Sequence, residues 1–103
     1  MPRYELRLQC FVRKGDGRAW WDTVVRLNAV CRANGHQPFE ICTQLVGAPS
    51  GEMEMVTHYD SLDEWQQQWA AFQADDEAMA IAREGTGYED RQPVYQLWEL
   101  ETP

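Results

Sequence analysis

Hydrophobic and polar residues alternate near the start of the chain, from Tyr4 to Arg13. The residues predicted for one face are Tyr4, Leu6, Leu8, Cys10 and Val12, and those for the other are Glu5, Arg7, Gln9, Phe11 and Arg13. A period of two places successive side chains on opposite faces of a sheet. The segment is therefore predicted to be a strand with one buried face.

A helix is predicted next, from Arg18 to Asn34. Its apolar stripe recurs at i, i+4, i+7 and i+11 and consists of Trp20, Val24, Leu27 and Cys31. The segment Lys14–Gly17 is predicted to be a turn in which Asp16 caps this helix. Gly35 is predicted to end the helix as a C-terminal cap.

The second and third strands are predicted at Phe39–Val46 and Glu52–Tyr59, with a hairpin loop at Gly47–Gly51. The third strand leads into a helix through a capping box, Ser61-x-x-Glu64. In such a box the serine Oγ accepts the N–H of Glu64, and the Glu64 carboxylate accepts the N–H of Ser61. The two signals together predict a sharp strand-to-helix junction.

The second helical region carries Trp65, Trp69 and Phe72 on one stripe. Asp75-Asp76 is predicted to break or re-cap it, and Gly85–Gly87 to end it. A fourth strand follows at Pro93–Leu100. Its phase stays open, because two sets of side chains compete for the core: Tyr95 and Leu97 against Val94, Gln96 and Trp98.

The order strand, helix, strand, strand, helix, strand is typical of the ferredoxin-like α+β fold, βαββαβ. The two β-α-β halves of this order normally interlock as a four-stranded antiparallel sheet with both helices on one face. The 103 residues leave room for a single domain, 1–103.

The second face of the sheet has no helix to cover it. Its predicted apolar members are Phe11, Cys42, Val46, Val56 and Trp98. Burial of one large apolar side chain stabilises by roughly 1.5–3 kcal/mol, and several exposed together favour association. We expect a homodimer packed sheet to sheet; the alternative is a monomer whose second face is half-polar.

The composition of the chain bears on its binding partners and its cellular compartment. Nine Lys and Arg against 17 Asp and Glu give a net charge of −8, which disfavours nucleic acid and anionic membranes. The three cysteines are widely spaced and have no C-x-x-C pair, which is typical of buried free thiols in a reducing compartment. The N-terminus has no apolar signal core and no run is long enough to span a membrane, so a cytoplasmic location is predicted.

His58 and Arg7 are the candidate catalytic residues. His58 lies late on the third strand, where it could act as a general base or be a hydrogen-bonded polar residue at the sheet rim. Arg7 could hold a carboxylate or enolate, or pair with a glutamate across the sheet. Gln9, Tyr59 and Trp98 are candidate ligand-binding residues, although strand aromatics are more often core or interface.

No cofactor is predicted. The two histidines are far apart, and neither they nor the cysteines have the spacing of metal ligands. G-x-G-x-x-G and Walker-type loops are lacking in the sequence, which leaves nucleotide cofactors unsupported. Haem binding remains an alternative, because a single histidine is enough to ligate the haem iron.

The chain resembles the NIPSNAP family of the dimeric α/β-barrel superfamily. The resemblance rests on the opening strand Tyr4-Glu5-Leu6-Arg7, the junction Tyr59–Glu64 and the helix break Ala74–Glu77, and it spans Tyr4 to Leu100 in order. It implies a ferredoxin-like subunit, a homodimer with a central barrel, and a cleft between sheet and helices. Relatives with this fold include cofactor-independent monooxygenases, haem-degrading, decarbonylating and dehalogenating enzymes, and polyketide-modifying proteins.

Two functions follow as hypotheses. In the first, the cleft binds and transforms a small aromatic or polyketide-like molecule without metal or nucleotide, by cofactor-independent oxygenation or proton transfer. In the second, the protein is a non-catalytic dimeric module that binds a metabolite or another protein. An RNA-binding sheet would need basic residues interleaved with exposed aromatics, which the acidic balance disfavours.

Overall fold

The computed structural model of the protein describes residues 3–43 and 51–101. Its elements are β1 (Tyr4–Phe11), α1 (Gly17–Asn34), β2 (Glu40–Cys42), β3 (Glu52–Tyr59), α2 (Leu62–Gln73), α3 (Asp76–Thr86) and β4 (Val94–Glu99). The strands form one antiparallel sheet in the order β2-β3-β1-β4. The ferredoxin-like α+β fold is confirmed, with the second helical region divided into two helices.

The helix-covered face of the sheet is the one predicted from the alternation in β1. Leu6, Leu8 and Cys10 are all buried on it. Directly paired residues of neighbouring antiparallel strands share a face, so Thr57 and Met55, which pair with Leu6 and Leu8, lie on the same side. This face is the hydrophobic core, and the other face, with Arg7 at its centre, is called the open face below.

The first helix begins and ends close to the predicted residues, and its whole apolar stripe is buried. Gly35 ends it in the left-handed conformation, with φ of 78°, as glycine readily does. The predicted cap at the other end is wrong. Asp16 occupies the N-cap position, but its carboxylate accepts a hydrogen bond from Arg13 Nε at 2.8 Å and caps no helical N–H.

The capping box at the start of α2 is confirmed in one of its two bonds. Glu64 N–H donates to Ser61 Oγ at 3.1 Å, as predicted. The Glu64 carboxylate reaches one residue further back than expected and accepts the N–H of Asp60 at 2.7 Å. The predicted re-capping is also present, because Asp75 accepts the Ala78 N–H at the start of α3.

Within the described residues, the second strand covers less of the chain than predicted. Phe39 does not belong to it, because its backbone N–H and C=O both bond the side-chain amide of Asn28, each at 2.8 Å. The strand therefore starts at Glu40 and, within the described residues, ends at Cys42. The remainder of the prediction, residues 44–46, and residues 47–50 of the hairpin loop lie outside the described residues.

The phase of β4 is settled by its register with β1. Trp98 pairs with Glu5 and Gln96 with Arg7, which places both on the open face. Tyr95 and Leu97 pair with Leu8 and Leu6 and point to the helix side, but they are 55% and 38% exposed. The helices thus leave this edge of the core face partly uncovered.

The three cysteines are free thiols. Cys10 and Cys31 are buried as predicted, whereas Cys42 is only half-buried because it lies on the open face beside Glu54. Within residues 3–43 and 51–101, the helices are all too short or too polar to cross a membrane.

Candidate functional site

A cavity of about 110 Å³ lies between the core face of the sheet and the three helices. Its floor comes from β1 and its sides from α1, α2 and α3. The aromatic side chains on its walls are Trp20, Phe39, Trp69, Phe72 and Tyr95. Tyr95 lines the cavity and is 55% exposed, so the cavity opens toward β4, the strand that the helices leave uncovered.

Aromatic contacts define the side of the cavity near that opening. Trp69 packs edge-to-face on Tyr95, with ring centroids 5.9 Å apart, and stacks on Phe72 at 5.4 Å. Both geometries are favourable arrangements of aromatic quadrupoles. An aromatic guest would meet ring faces and edges of the same kind.

Glu89 brings a carboxyl group into this apolar cavity. Two backbone contacts hold its segment against β1: Glu89 forms an isolated antiparallel bridge with Val12, and Asp90 N–H donates to Phe11 C=O at 2.8 Å. Turn bonds on the other side, from Tyr88 N–H to Gly85 C=O at 3.0 Å, tie the same segment to the end of α3. The carboxyl is therefore fixed from both directions.

The two oxygens of Glu89 have different environments. Oε2 accepts a hydrogen bond from Trp20 Nε1 at 3.3 Å. Oε1 is buried and has no hydrogen-bond partner among the described residues. Burial raises the pKa of the Glu89 carboxyl, although the hydrogen bond from Trp20 and the proximity of the Phe11 backbone act in the opposite direction.

The thiol and phenol nearest to this carboxyl are both uncharged at neutral pH. Burial raises the pKa of Cys10 to about 12, with a contribution from the charge of Glu89. Burial likewise raises the pKa of Tyr95, and the charges of Cys10 and Glu89 add to the effect. A thiol that stays protonated is a poor nucleophile. Neither it nor the phenol gains or loses a proton near neutral pH, so the Glu89 carboxyl is the group in the cavity best suited to proton transfer.

Arg7 lies on the open face, within a network of paired charges. Its Nε and Nη2 atoms donate to Glu5 Oε2 at 3.1 and 3.0 Å, and Nη1 donates to Glu54. His58 Nε2 lies 3.0 Å from Glu5 Oε1. Burial lowers the pKa of Arg7, but the two glutamates more than offset this and the net shift is upward. The structure thus brings Arg7 and His58 together through Glu5.

The three predicted ligand-binding residues do not share one surface. Gln9 and Trp98 lie on the open face with Arg7 and His58. Tyr59 lies on the core face and is 4% exposed; its hydroxyl accepts from Thr57 Oγ1 at 3.0 Å, and burial raises its pKa. None of the five predicted residues lines the helix-side cavity. Their roles stay predictions.

A second, shallow depression of about 400 Å³ runs along the open face. Its lining residues are Glu5, Arg7, Glu54, Gln96, Trp98, Glu99 and Leu100. It is larger than the helix-side cavity but is a broad surface depression, and its central charged groups, Glu5, Arg7 and Glu54, are already paired with one another. The smaller cavity is the better candidate site, because it encloses a guest on several sides and holds an unpaired polar atom.

Glu89 is the functional candidate that sequence reasoning did not find. It follows the Gly85–Gly87 segment and belongs to no chemical motif. Its position depends on the bridge to Val12 and the hydrogen bond from Trp20, both of which join distant parts of the chain. Within residues 3–43 and 51–101, no three His, Cys, Asp or Glu side chains converge as metal ligands would.

Comparison with known proteins defines the fold. No family model matches the chain, and no curated protein matches it in sequence. A solved candidate antibiotic biosynthesis monooxygenase from Caulobacter crescentus is similar with a TM-score of 0.74 and 13% identity, covering 98% of this chain and 92% of that one. A NIPSNAP family protein of unknown function from Agrobacterium tumefaciens has a TM-score of 0.73 and 13% identity, covering 96% and 88%.

A conserved protein from Methanosarcina mazei is similar as well, with a TM-score of 0.75 and 9% identity, covering 98% of this chain and 95% of that one. The resemblance to the NIPSNAP family is confirmed at the level of the fold, since solved NIPSNAP structures are among the structural neighbours. Identities this low establish a shared fold and leave the reaction to be argued from the site.

Proposed function

We propose that the protein binds a small aromatic molecule in the cavity between the sheet and the helices. The observation that carries this proposal is a cavity of about 110 Å³, open toward β4, with aromatic walls and one buried carboxyl oxygen. An engineered apolar cavity of about 150 Å³ is known to bind benzene, so a single ring is the right scale for a space that also opens toward Tyr95. A larger polyketide-like guest would extend through that opening.

The structural neighbours support the binding of a small organic molecule by analogy. One is a candidate antibiotic biosynthesis monooxygenase, a name that denotes chemistry on small organic molecules. The analogy is of fold alone, and the cavity of this chain supplies the specific argument.

The proposal is tested by filling the cavity. Ala82, which lines it, is changed to Phe, and Ala80, which is exposed on the same helix, is changed to Phe as a control. Saturation-transfer NMR with toluene should detect binding to the wild type and to Ala80→Phe but not to Ala82→Phe. Equal binding by all three proteins would place the ligand elsewhere.

Proton transfer is a second candidate function, favoured by the raised pKa of Glu89. The carboxylate would take a proton from an acidic C–H of the bound molecule and return one to the same carbon, with no metal or nucleotide involved. In D₂O the protein should then speed deuterium incorporation into the methyl group of acetophenone, and Glu89→Gln should not. Binding without exchange would leave a non-catalytic binding module.

A homodimer through the open face is part of the proposal. The charged side chains at its centre are paired, because Glu5 and Glu54 both bond Arg7, so each would keep an ionic partner on burial while the three together carry one net negative charge. Beside them β4 is an edge strand that exposes large apolar groups, among them Trp98 at 52%. A second copy would cover both.

Native mass spectrometry measures this directly. We expect a mass of twice 12.0 kDa for the wild type and a shift toward monomer for Trp98→Lys. The control Trp21→Lys, on the exposed side of α1, should stay dimeric. A wild-type monomer at micromolar concentration would contradict the proposed interface.

A further inference from the structure

We propose that Glu89 and Trp20 together determine which ligands the cavity prefers, by favouring bound molecules that carry an N–H or O–H donor over molecules of the same shape that do not. This inference rests on the proposed binding function and adds to it the polar group by which a ligand is recognised. Most of the cavity wall is apolar and cannot distinguish molecules of equal shape. The unpaired, buried oxygen of Glu89 can.

The two carboxyl oxygens of Glu89 differ in their hydrogen-bonding partners, and the geometry points to a different role for each. Trp20 is 2% exposed and lies in the core stripe of α1, so its indole is fixed, and its N–H needs the acceptor that Glu89 Oε2 provides. Oε1 is buried on a residue that lines the cavity and has no protein partner within the described residues. A molecule in the cavity is then the natural source of its hydrogen bond.

The ionised carboxylate can only accept hydrogen bonds. A ligand that donates satisfies Oε1 with a charge-assisted bond, which is stronger than a bond between neutral groups. A ligand of the same shape without a donor leaves a buried, unpaired oxygen and loses affinity. Sites built on a hydrogen-bonding group discriminate in this way far better than apolar pockets do.

Protonation of Glu89 should reverse the preference. Because Oε2 accepts from Trp20, the proton of the neutral acid belongs on Oε1, which then becomes a donor. The titratable groups of the cavity wall beside Glu89 are Cys10 on β1 and Tyr95 on β4. The polar side chains that α1 and α3 contribute to the same wall, Trp20, Thr23 and Thr86, are uncharged. The thiol and the phenol stay neutral while the carboxyl titrates, so the reversal reports on Glu89 itself.

Three probes of similar size separate these cases. Phenol carries a donor, benzonitrile carries only an acceptor, and toluene carries neither. In Glu89→Gln, the amide oxygen must stay with the Trp20 N–H, which turns the amide NH₂ toward the cavity as a donor. The affinity ratio of phenol to benzonitrile should therefore fall by at least tenfold, about the effect of one ordinary hydrogen bond.

Glu84→Gln is the matched control. It removes the same charge from an exposed site that pairs with Arg26 outside the cavity. Its phenol-to-benzonitrile ratio should equal that of the wild type, with affinities measured by NMR titration. A fall of similar size in Glu84→Gln would overturn the local assignment.

The outcomes separate the two proposals. If all three probes bind and the ratio is the same in Glu89→Gln and the wild type, the proposed donor preference is wrong while the binding function stands. If no probe binds the wild type, both fail. Should Glu89→Gln not fold, the wild type decides alone: the ratio should fall as the pH is lowered from about 8 to about 4.5, and a constant ratio would overturn the inference.

Discussion

Gly85 is a position where α3 approaches α1 closely beside the cavity. It is buried in α3, and a Cβ atom built there would lie 2.8 Å from Thr23 Oγ1 and 3.6 Å from Thr23 Cβ on α1. Thr23 cannot easily turn away, because it is 3% exposed and its hydroxyl donates to the Trp20 carbonyl at 2.6 Å. We therefore predict that Gly85→Ala destabilises the protein, although alanine is the better helix former.

Two opposing terms set the size of the effect. Replacing glycine by alanine inside a helix stabilises by about 1 kcal/mol. Forcing an extra carbon into a packed contact costs about 1–3 kcal/mol, and a separation below 3.0 Å requires either a shift of α3 or loss of the Thr23 hydrogen bond. The net expectation is a loss of about 1 kcal/mol in the free energy of unfolding.

A double-mutant cycle in urea isolates the contact. Thr23→Ala alone should destabilise by about 1 kcal/mol through the lost methyl group and hydrogen bond. In the double variant the clash is absent and the helix propensity of alanine is regained, so the double variant should be about 1–2 kcal/mol more stable than the sum of the single effects. Additive effects, or a Gly85→Ala protein more stable than the wild type, would refute the proposed close approach.

Further predictions concern a helix cap, an acid-sensitive carboxylate and a thiol. Ser61→Ala should lower the free energy of unfolding by about 1 kcal/mol in urea, because the first turn of α2 loses its side-chain acceptor. Hydrogen bonds from the Ala78 N–H, His36 and Asn34 lower the pKa of Asp75 from 3.8 to about 2. The contribution of the Asp75 carboxylate to stability is therefore complete above about pH 4 and is lost as the pH falls toward 2. In Asp75→Asn, the melting temperature should depend less on pH over that range. Cys10, buried and with a pKa raised to about 12, should react with iodoacetamide in the native protein far more slowly than half-buried Cys42, as mapped by peptide mass; equal rates would contradict its burial.

Most of the fold was predictable because local periodicity carries it. The alternation in β1 identified the core face, and the apolar stripe of α1 identified its packed side. Gly35 marked a helix end because few other residues adopt its positive φ without strain. These features depend on neighbours a few residues away and can be read directly from a sequence.

Features that depend on distant partners were less predictable. Asp16 had the right residue type for a cap but pairs with Arg13, and Phe39 fits a strand pattern but bonds the side chain of Asn28. Glu89 owes its burial to Trp20 and Val12, so nothing in its own neighbourhood indicated a site. For Arg7, the pairing with Glu5 and Glu54 was one of the alternatives that the sequence left open.

We propose that the ligand binds in the helix-side cavity and not on the open face. The indole N–H signals of the tryptophans in ¹⁵N-labelled protein report on both surfaces: Trp20 and Trp69 line the cavity, Trp98 lies on the open face and Trp21 is exposed on α1. On titration with toluene, we expect saturable shifts of the Trp20 and Trp69 signals with one dissociation constant, while the Trp21 and Trp98 signals do not move. A saturable shift of Trp98 with Trp20 unmoved, or no shift at all, would contradict this proposal.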